Sequence, residues 1–400
     1  MTRIPLRWIA IAFFVIASTL NYLDRGLLAA LAPTLKTEFH LDNTQYGWFV
    51  SAFSMMYAFT APLAGMFIDR VGLNMGAAIA ITAWSCAGAT TGLVGSFRGL
   101  LASRTALGVA EAAGIPLFGK ANAMYLEPQE WALGTATNQI GISVGSALAP
   151  LIVAALTPVY GWRSSFVVCG ALGLLWVPVW LLVAKRIPAK EIAPAEVGAA
   201  TMKELLRDRR VWGLALATVF IMSLYQLWMN WTTIYFVHDW NMTAEEANRR
   251  FAWMPPVVGT LGGFFGGWLA FRSIRAGTKV VAARLKVSWV SAGFLLVTAA
   301  IPLMPTRGLA AAAVSMSFFW SVCISANLYA LPIDLFGPRR AAFGVAVLTF
   351  AYGLMQAFAS PAIGAMVDHF GFSAFHVVCV TMSVLPLVGV WILQVTTRER

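Results

Sequence analysis

The chain has 400 residues, of which 59% are hydrophobic and only 11% charged, with a formal net charge of +11. Soluble domains carry about a quarter charged residues, so this chain has too little charge to cover a soluble surface, and a polytopic membrane protein is the class that remains. The four cysteines, Cys86, Cys169, Cys323 and Cys379, all fall within apolar runs and suggest neither a disulfide framework nor a zinc site. The four histidines show no metal-ligand spacing, so no metal or other cofactor is expected.

Apolar segments of bilayer-spanning length number twelve and predict an all-α fold. They cover 8–35, 46–67, 73–95, 99–126, 131–157, 164–184, 212–237, 251–271, 281–303, 308–334, 341–366 and 373–395. The first is too long for a signal-peptide core and lacks a cleavage site, which makes it a retained helix. The one long polar gap, Lys185 to Arg210, sets the predicted division: an N-terminal six-helix bundle (1–184), a linker (185–211) and a C-terminal six-helix bundle (212–400). Placing the N-terminus inside puts nineteen of the 28 Lys and Arg residues on that face and six on the other. Both termini are then cytoplasmic. The net positive charge belongs to this bias, and nucleic acid has no part in it. Pro128, Gly134, Gly161 and Cys169 recur at Pro338, Gly344, Gly371 and Cys379, a constant offset of 210. That register suggests duplicated, pseudo-symmetric bundles with a site between them, a recurring transporter plan.

Segment one is interrupted by Asn21-Tyr22-Leu23-Asp24-Arg25. A charge at the centre of a membrane helix costs roughly 2.5–3.5 kcal/mol on insertion scales, and such groups usually mark ion or substrate paths. The other intramembrane charges, Arg104, Glu111 and Lys120, also lie in the first half. Arg104 and Glu111 are two helical turns apart on one face, about 10.5 Å along the axis; Arg104 is carried as a substrate-binding candidate, with service only as a partner to Glu111 as the alternative. Lys120, nine residues past Glu111, points to the opposite side of an ideal helix unless Pro116 kinks it; it is carried as a substrate-binding candidate, with snorkelling toward the cytoplasm as the alternative. Fully ionised, these three cations and two anions sum to +1, and protonating both acids gives +3. Burial raises a carboxylate pKa and a nearby arginine lowers it, so Asp24 and Glu111 are candidates for proton exchange. Protonation would free an arginine to bind a carboxylate, which is the physical basis of proton–anion symport. The alternative is a set of buried salt bridges that lock helices together.

Gly65-Met66-Phe67-Ile68-Asp69-Arg70-Val71-Gly72, between segments two and three, carries Asp69 and Arg70 as candidate gating residues. This Gly-x-x-x-Asp-Arg-x-Gly pattern resembles the signature of the major facilitator superfamily. The first-segment Asn-Tyr-Leu-Asp-Arg and the stretch Arg104-Thr105-Ala106-Leu107-Gly108-Val109-Ala110-Glu111-Ala112-Ala113-Gly114-Ile115-Pro116 resemble its anion:cation symporter family. Phe251-Ala252-Trp253-Met254-Pro255 and Lys120 are similar to the hexuronate transporters within it.

The resemblance implies Asp24 and Glu111 as proton-coupling carboxylates, Arg25 as the anchor for a substrate carboxylate with Arg104 partnering Glu111, and Tyr22 and Tyr57 as substrate contacts. It also implies a bacterial inner-membrane location. The second half departs from the family: Leu348-Thr349-Phe350 and Asn327-Leu328-Tyr329-Ala330 stand where relatives often have an Asn and a Trp. Gln139, Gln226, Asn327 and Gln356 are candidates for replacing those contacts, as are Asn138, Asn230 and Tyr329; each could equally be an interhelical hydrogen bond. The expected function is proton-coupled import of an organic anion, a hexuronate or aldonate, by alternating access in a lipid-embedded monomer. A symporter of aromatic or small carboxylic acids and a transporter-like anion sensor are the alternatives. No phosphate-binding Gly-x-x-x-x-Gly-Lys-Ser/Thr loop is present, and no nucleophile–base pair points to an enzyme.

Overall fold

In this computed structural model residues 6–188, 204–205 and 207–397 are described. Most of the predicted linker, residues 189–203 and 206, lies outside them. The rest is helical, as the apolar runs predict. In chain order the helices are α1 (Leu6–Glu38), α2 (Asn43–Val71), α3 (Leu73–Thr91), α4 (Phe97–Glu111), α5 (Gly114–Tyr125), α6 (Trp131–Tyr160) and α7 (Arg163–Ala184). They continue as α8 (Arg209–Ile221), α9 (Ser223–Asp239), α10 (Ala244–Ala247), α11 (Met254–Arg275), α12 (Val280–Phe294), α13 (Arg307–Phe336), α14 (Pro338–Phe370) and α15 (Ser373–Thr397). A π-turn, Asn248–Ala252, joins α10 to α11, and a 3₁₀ stretch, Leu295–Leu303, extends α12. Taken with their continuations these make twelve spans. Ten are long and apolar enough to cross a membrane by length and composition alone; α3 and the α4–α5 pair complete the set.

Local chemistry explains the breaks. Pro116 has no N–H for the carbonyl of Ala112, and its ring crowds that turn; α4 therefore stops at Glu111 and α5 begins at Gly114. Ser96 caps α4 by accepting the Gly99 amide at 3.2 Å. Asp208 caps α8, accepting the Arg210 amide at 2.8 Å. The Arg210 guanidinium at 2.7 Å is the main reason the Asp208 carboxyl sits below its ordinary pKa. Segment eight starts earlier than its apolar run predicts. Arg249 and Arg250, expected in a loop, sit in the π-turn and pair with Glu245 at 3.5 Å and Glu246 at 3.2 Å. Such i,i+4 pairs let a polar stretch remain helical.

Contacts group the chain into two compact units. The first comprises Met1–Leu41, Ala52–Ala195 and Thr243–Trp253; the second comprises Asp42–Ser51, Glu196–Met242 and Met254–Arg400.

In the first unit α1 lies against α6 at backbone contact. A Cβ on Gly145 would fall 2.2 Å from the Thr19 carbonyl oxygen, so only glycine fits, and the Thr19 hydroxyl donates to the Gly141 carbonyl at 3.0 Å. Small residues at such seams are how membrane helices gain packing without a hydrophobic drive. Gly145→Val is expected to cost about 1–3 kcal/mol by overpacking. The check is the thermal unfolding midpoint of the purified protein, and an unchanged midpoint would contradict the close approach. Further along α1, Phe14 packs edge-on against Trp180, with ring centroids 4.9 Å apart. The Trp176 indole donates to the Phe13 carbonyl at 2.9 Å. In the second unit the Trp228 indole donates to Ser317 at 2.9 Å, Arg284 pairs with Asp334, and Asp368 accepts the first amides of α2, from Asn43 at 2.9 Å and Thr44 at 2.7 Å.

The sequence repeat has a geometric counterpart. Gly161 ends α6 with φ +78° and Gly371 ends α14 with φ +77°, a left-handed conformation that glycine adopts without a Cβ penalty. Eight residues beyond each, Cys169 and Cys379 are buried in α7 and α15.

A candidate anion-binding cavity in the first unit

One face of α1 builds the site. Phe14, Ala17, Ser18, Asn21, Tyr22 and Arg25 recur at three- and four-residue steps, so they stack along one side of the helix. All six line one cavity. Its remaining wall is Tyr57 of α2, Ile81 and Trp84 of α3, Gly114, Ile115, Leu117 and Phe118 of α5, and Asn138 and Ile142 of α6.

The charged centre lies at the Arg25 end. Arg25 donates from Nε to Glu111 Oε2 at 2.6 Å; its guanidinium carbon lies 4.6 Å from the Tyr57 ring centroid, 4.8 Å from Tyr22 and 5.0 Å from Phe53. Three aromatic faces around a cation hold it by cation–π attraction and fix its direction. The Glu111 side chain is fully enclosed while that of Arg25 keeps 20% exposure, so the arginine reaches the cavity and the acid stands behind it. Glu111 Oε1 is buried with no hydrogen-bond partner among the described residues. Asp24, on the adjoining face of α1, is buried as well. Its Oδ1 has no hydrogen-bond partner among the described residues.

The hydrogen-bonded partner of Glu111 is thus Arg25, on a neighbouring helix. Arg104 is buried on α4 with its guanidinium 5.3 Å from the Phe166 ring centroid, and it is not among the cavity residues. Sharing a helical face leaves a gap of two turns between Arg104 and Glu111, whereas Arg25 approaches from a neighbouring helix. Lys120, carried as a substrate-binding candidate, is not among the cavity residues either. Beyond the Pro116 break it turns to the Gly65–Gly72 turn, donating to the Ile68 carbonyl at 3.0 Å and to Asp69 at 2.9 Å. Asp69 and Arg70 are both exposed.

Among the polar candidates on α6, Asn138 lines the cavity, while its neighbour Gln139 is exposed and outside it. Gln226, Asn327 and Gln356 belong to the second unit. Asn327 donates to the Gly266 carbonyl at 3.2 Å and the Cys323 carbonyl at 3.1 Å, so it links α11 to α13. Gln226 is fully buried, with neither amide atom partnered among the described residues, and Gln356 is half-buried. Asn21, Trp84 and Phe118 of the lining and Phe53 beside Arg25 join the site only in the structure. Asn21 was reachable, since it lies one helical turn before Arg25; Trp84 and Phe118 look like any other apolar position on their helices.

Twelve helical spans and a cavity ending on a half-buried arginine paired with a buried acid define a multi-pass membrane transporter rather than an enzyme. The family model described as Major Facilitator Superfamily matches residues 14–360, and the chain belongs to that superfamily. It is 28% identical to the hexuronate transporter of Escherichia coli (strain K12), over 96% of this chain and 93% of that one. It is 31% identical to the galacturonate transporter of Dickeya chrysanthemi, over 66% of this chain and 81% of that one. Its fold is similar to the crystal structure of a bacterial homologue of the human lysosomal transporter Spinster in an inward-facing, occupied conformation. The TM-score is 0.82 at 20% identity, covering 99% of this chain and 98% of that one. Inner-membrane, multi-pass localisation follows.

Proposed function

We propose that this protein is a proton-coupled symporter of the anion:cation symporter family that imports an organic anion, a hexuronate or aldonate, by alternating access. The halves 1–184 and 212–400, joined by the linker 185–211, would move against each other, with Asp69 and Arg70 acting at the gate and both termini cytoplasmic. The observation that carries the reading is the Arg25–Glu111 ion pair at 2.6 Å, with its arginine on the cavity and its acid sealed behind.

An arginine serves two partners in such an arrangement. While Glu111 is ionised it holds the guanidinium. A proton on Glu111 cancels that attraction and leaves Arg25 a cation whose bidentate fork matches a carboxylate. Proton and anion would then bind together because each removes the electrostatic cost of the other, and Asp24 would supply a second acid in the same field. The aromatic faces of Tyr22 and Tyr57 suit the carbon side of a sugar ring, and their hydroxyls its oxygens. The names of the E. coli and D. chrysanthemi relatives agree with a hexuronate.

The test is uptake by proteoliposomes across a panel of sugar acids, with and without an inward proton gradient. Uphill accumulation of at least one hexuronate or aldonate is expected only with the gradient. Uptake indifferent to the gradient would remove proton coupling, and selective uptake of aromatic acids would favour the second substrate class.

A further inference from the structure

We infer that Asn21, Trp84 and Asn138 form a hydroxyl-recognising wall in the Arg25 cavity, so that the non-carboxylate end of the substrate is read at least in part within the first unit. This deepens the proposed function and rests on it. Family resemblance assigns that task to the second half, where this chain departs from its relatives.

Three polar atoms of the cavity lining lack a partner among the described residues: Nδ2 of Asn21, Nε1 of Trp84 and Oδ1 of Asn138. Asn21 is 3% exposed and Trp84 1%, so bulk water does not satisfy them. Buried polar groups in folded proteins are almost always hydrogen-bonded, and each exception calls for a missing partner. The three come from different helices, α1, α3 and α6, yet all line one cavity. Phe14, Ile81 and Phe118 of the same lining are apolar, while Ser18, Tyr22 and Tyr57 add hydroxyl groups to it.

The chemistry of the set selects the ligand. Two N–H donors and one carbonyl acceptor complement hydroxyl groups, each of which accepts and donates. A benzene ring in the same place would leave all three unmet. Asn21 precedes Arg25 by four residues, about 6 Å along the helix and on the same side. That is comparable with the reach from a carboxylate to hydroxyls three or four carbons away. Gly114 lines the cavity beside Asn21, where an added Cβ would lie in ordinary contact with the Asn21 amide nitrogen at 3.6 Å. An anchored carboxylate at Arg25 and hydroxyls at Asn21, Trp84 and Asn138 describe a polyhydroxy monocarboxylate.

Calorimetric titration of the purified full-length chain with galacturonate and with benzoate tests this. Trp84→Phe keeps the ring and deletes the N–H, and Asn21→Leu keeps the shape and deletes the amide. Each is expected to weaken galacturonate binding about 3- to 10-fold, the usual worth of one neutral hydrogen bond, with any benzoate affinity unchanged. Trp84→Phe that binds galacturonate as tightly as wild type overturns the assignment, as does an equal loss for both ligands. A wild-type protein that binds benzoate but not galacturonate also overturns it, while leaving the organic-anion reading intact. Wild-type protein that binds neither, together with no uptake across the sugar-acid panel, removes both.

Discussion

Glu111→Gln is expected to abolish proton-driven accumulation while leaving substrate exchange across the membrane. Glutamine is nearly isosteric and can still accept from Arg25 Nε through its carbonyl, so the 2.6 Å contact has a neutral successor and the buried site keeps its shape. What disappears is the titration. Arg25 would then face a permanently neutral partner, as it would beside a protonated acid, and the anion site would stay available at every pH. Uphill uptake should fall to the level seen without a gradient, and external acidification should no longer stimulate transport. Counterflow of labelled substrate against unlabelled substrate should persist. A variant that accumulates substrate normally would show that Glu111 does not couple the proton.

Arg25→Ala should eliminate anion binding. Truncating one member of a buried charged pair typically costs 2–5 kcal/mol or more, so affinity is expected to drop by at least about 30-fold. Part of any effect could come from leaving Glu111 buried opposite nothing, since breaking a buried pair is itself destabilising by about 3–5 kcal/mol. The double variant Arg25→Ala/Glu111→Gln separates the two, because it removes the stranded acid. Folding should recover in the double variant and binding should not. Arg25→Lys keeps the charge and loses the planar fork, and intermediate affinity is expected. Unchanged affinity in Arg25→Ala would place the anion elsewhere in the protein.

Asp24, Arg25 and Glu111 stand out in the amino-acid sequence because ionised groups in an apolar segment are rare and expensive. Trp84 and Phe118 carry no such signal. They sit at apolar positions on apolar helices, and only the packing of α3 and α5 around α1 turns them toward a cavity. Lys120 shows the opposite case. Its charge marks it as unusual, but the break that Pro116 introduces decides where it goes, and it goes to Asp69.

Composition, segment length and repeated glycines by themselves determined the class, the twelve spans and the duplicated pattern. Those properties follow from the bilayer, which demands apolar length and satisfied backbone from every crossing segment regardless of its neighbours. The internal register of one helix was legible for the same reason: the steps from Phe14 to Arg25 are fixed by helical pitch alone. The tertiary structure decided the pairings. Glu111 meets Arg25 on another helix, and Asn138 rather than Gln139 lines the cavity. Each of those outcomes depends on which helices lie side by side and on their rotation about their axes. That rotation is set by close packing at seams such as Gly145 against Thr19, and a one-dimensional pattern of apolar residues does not specify it.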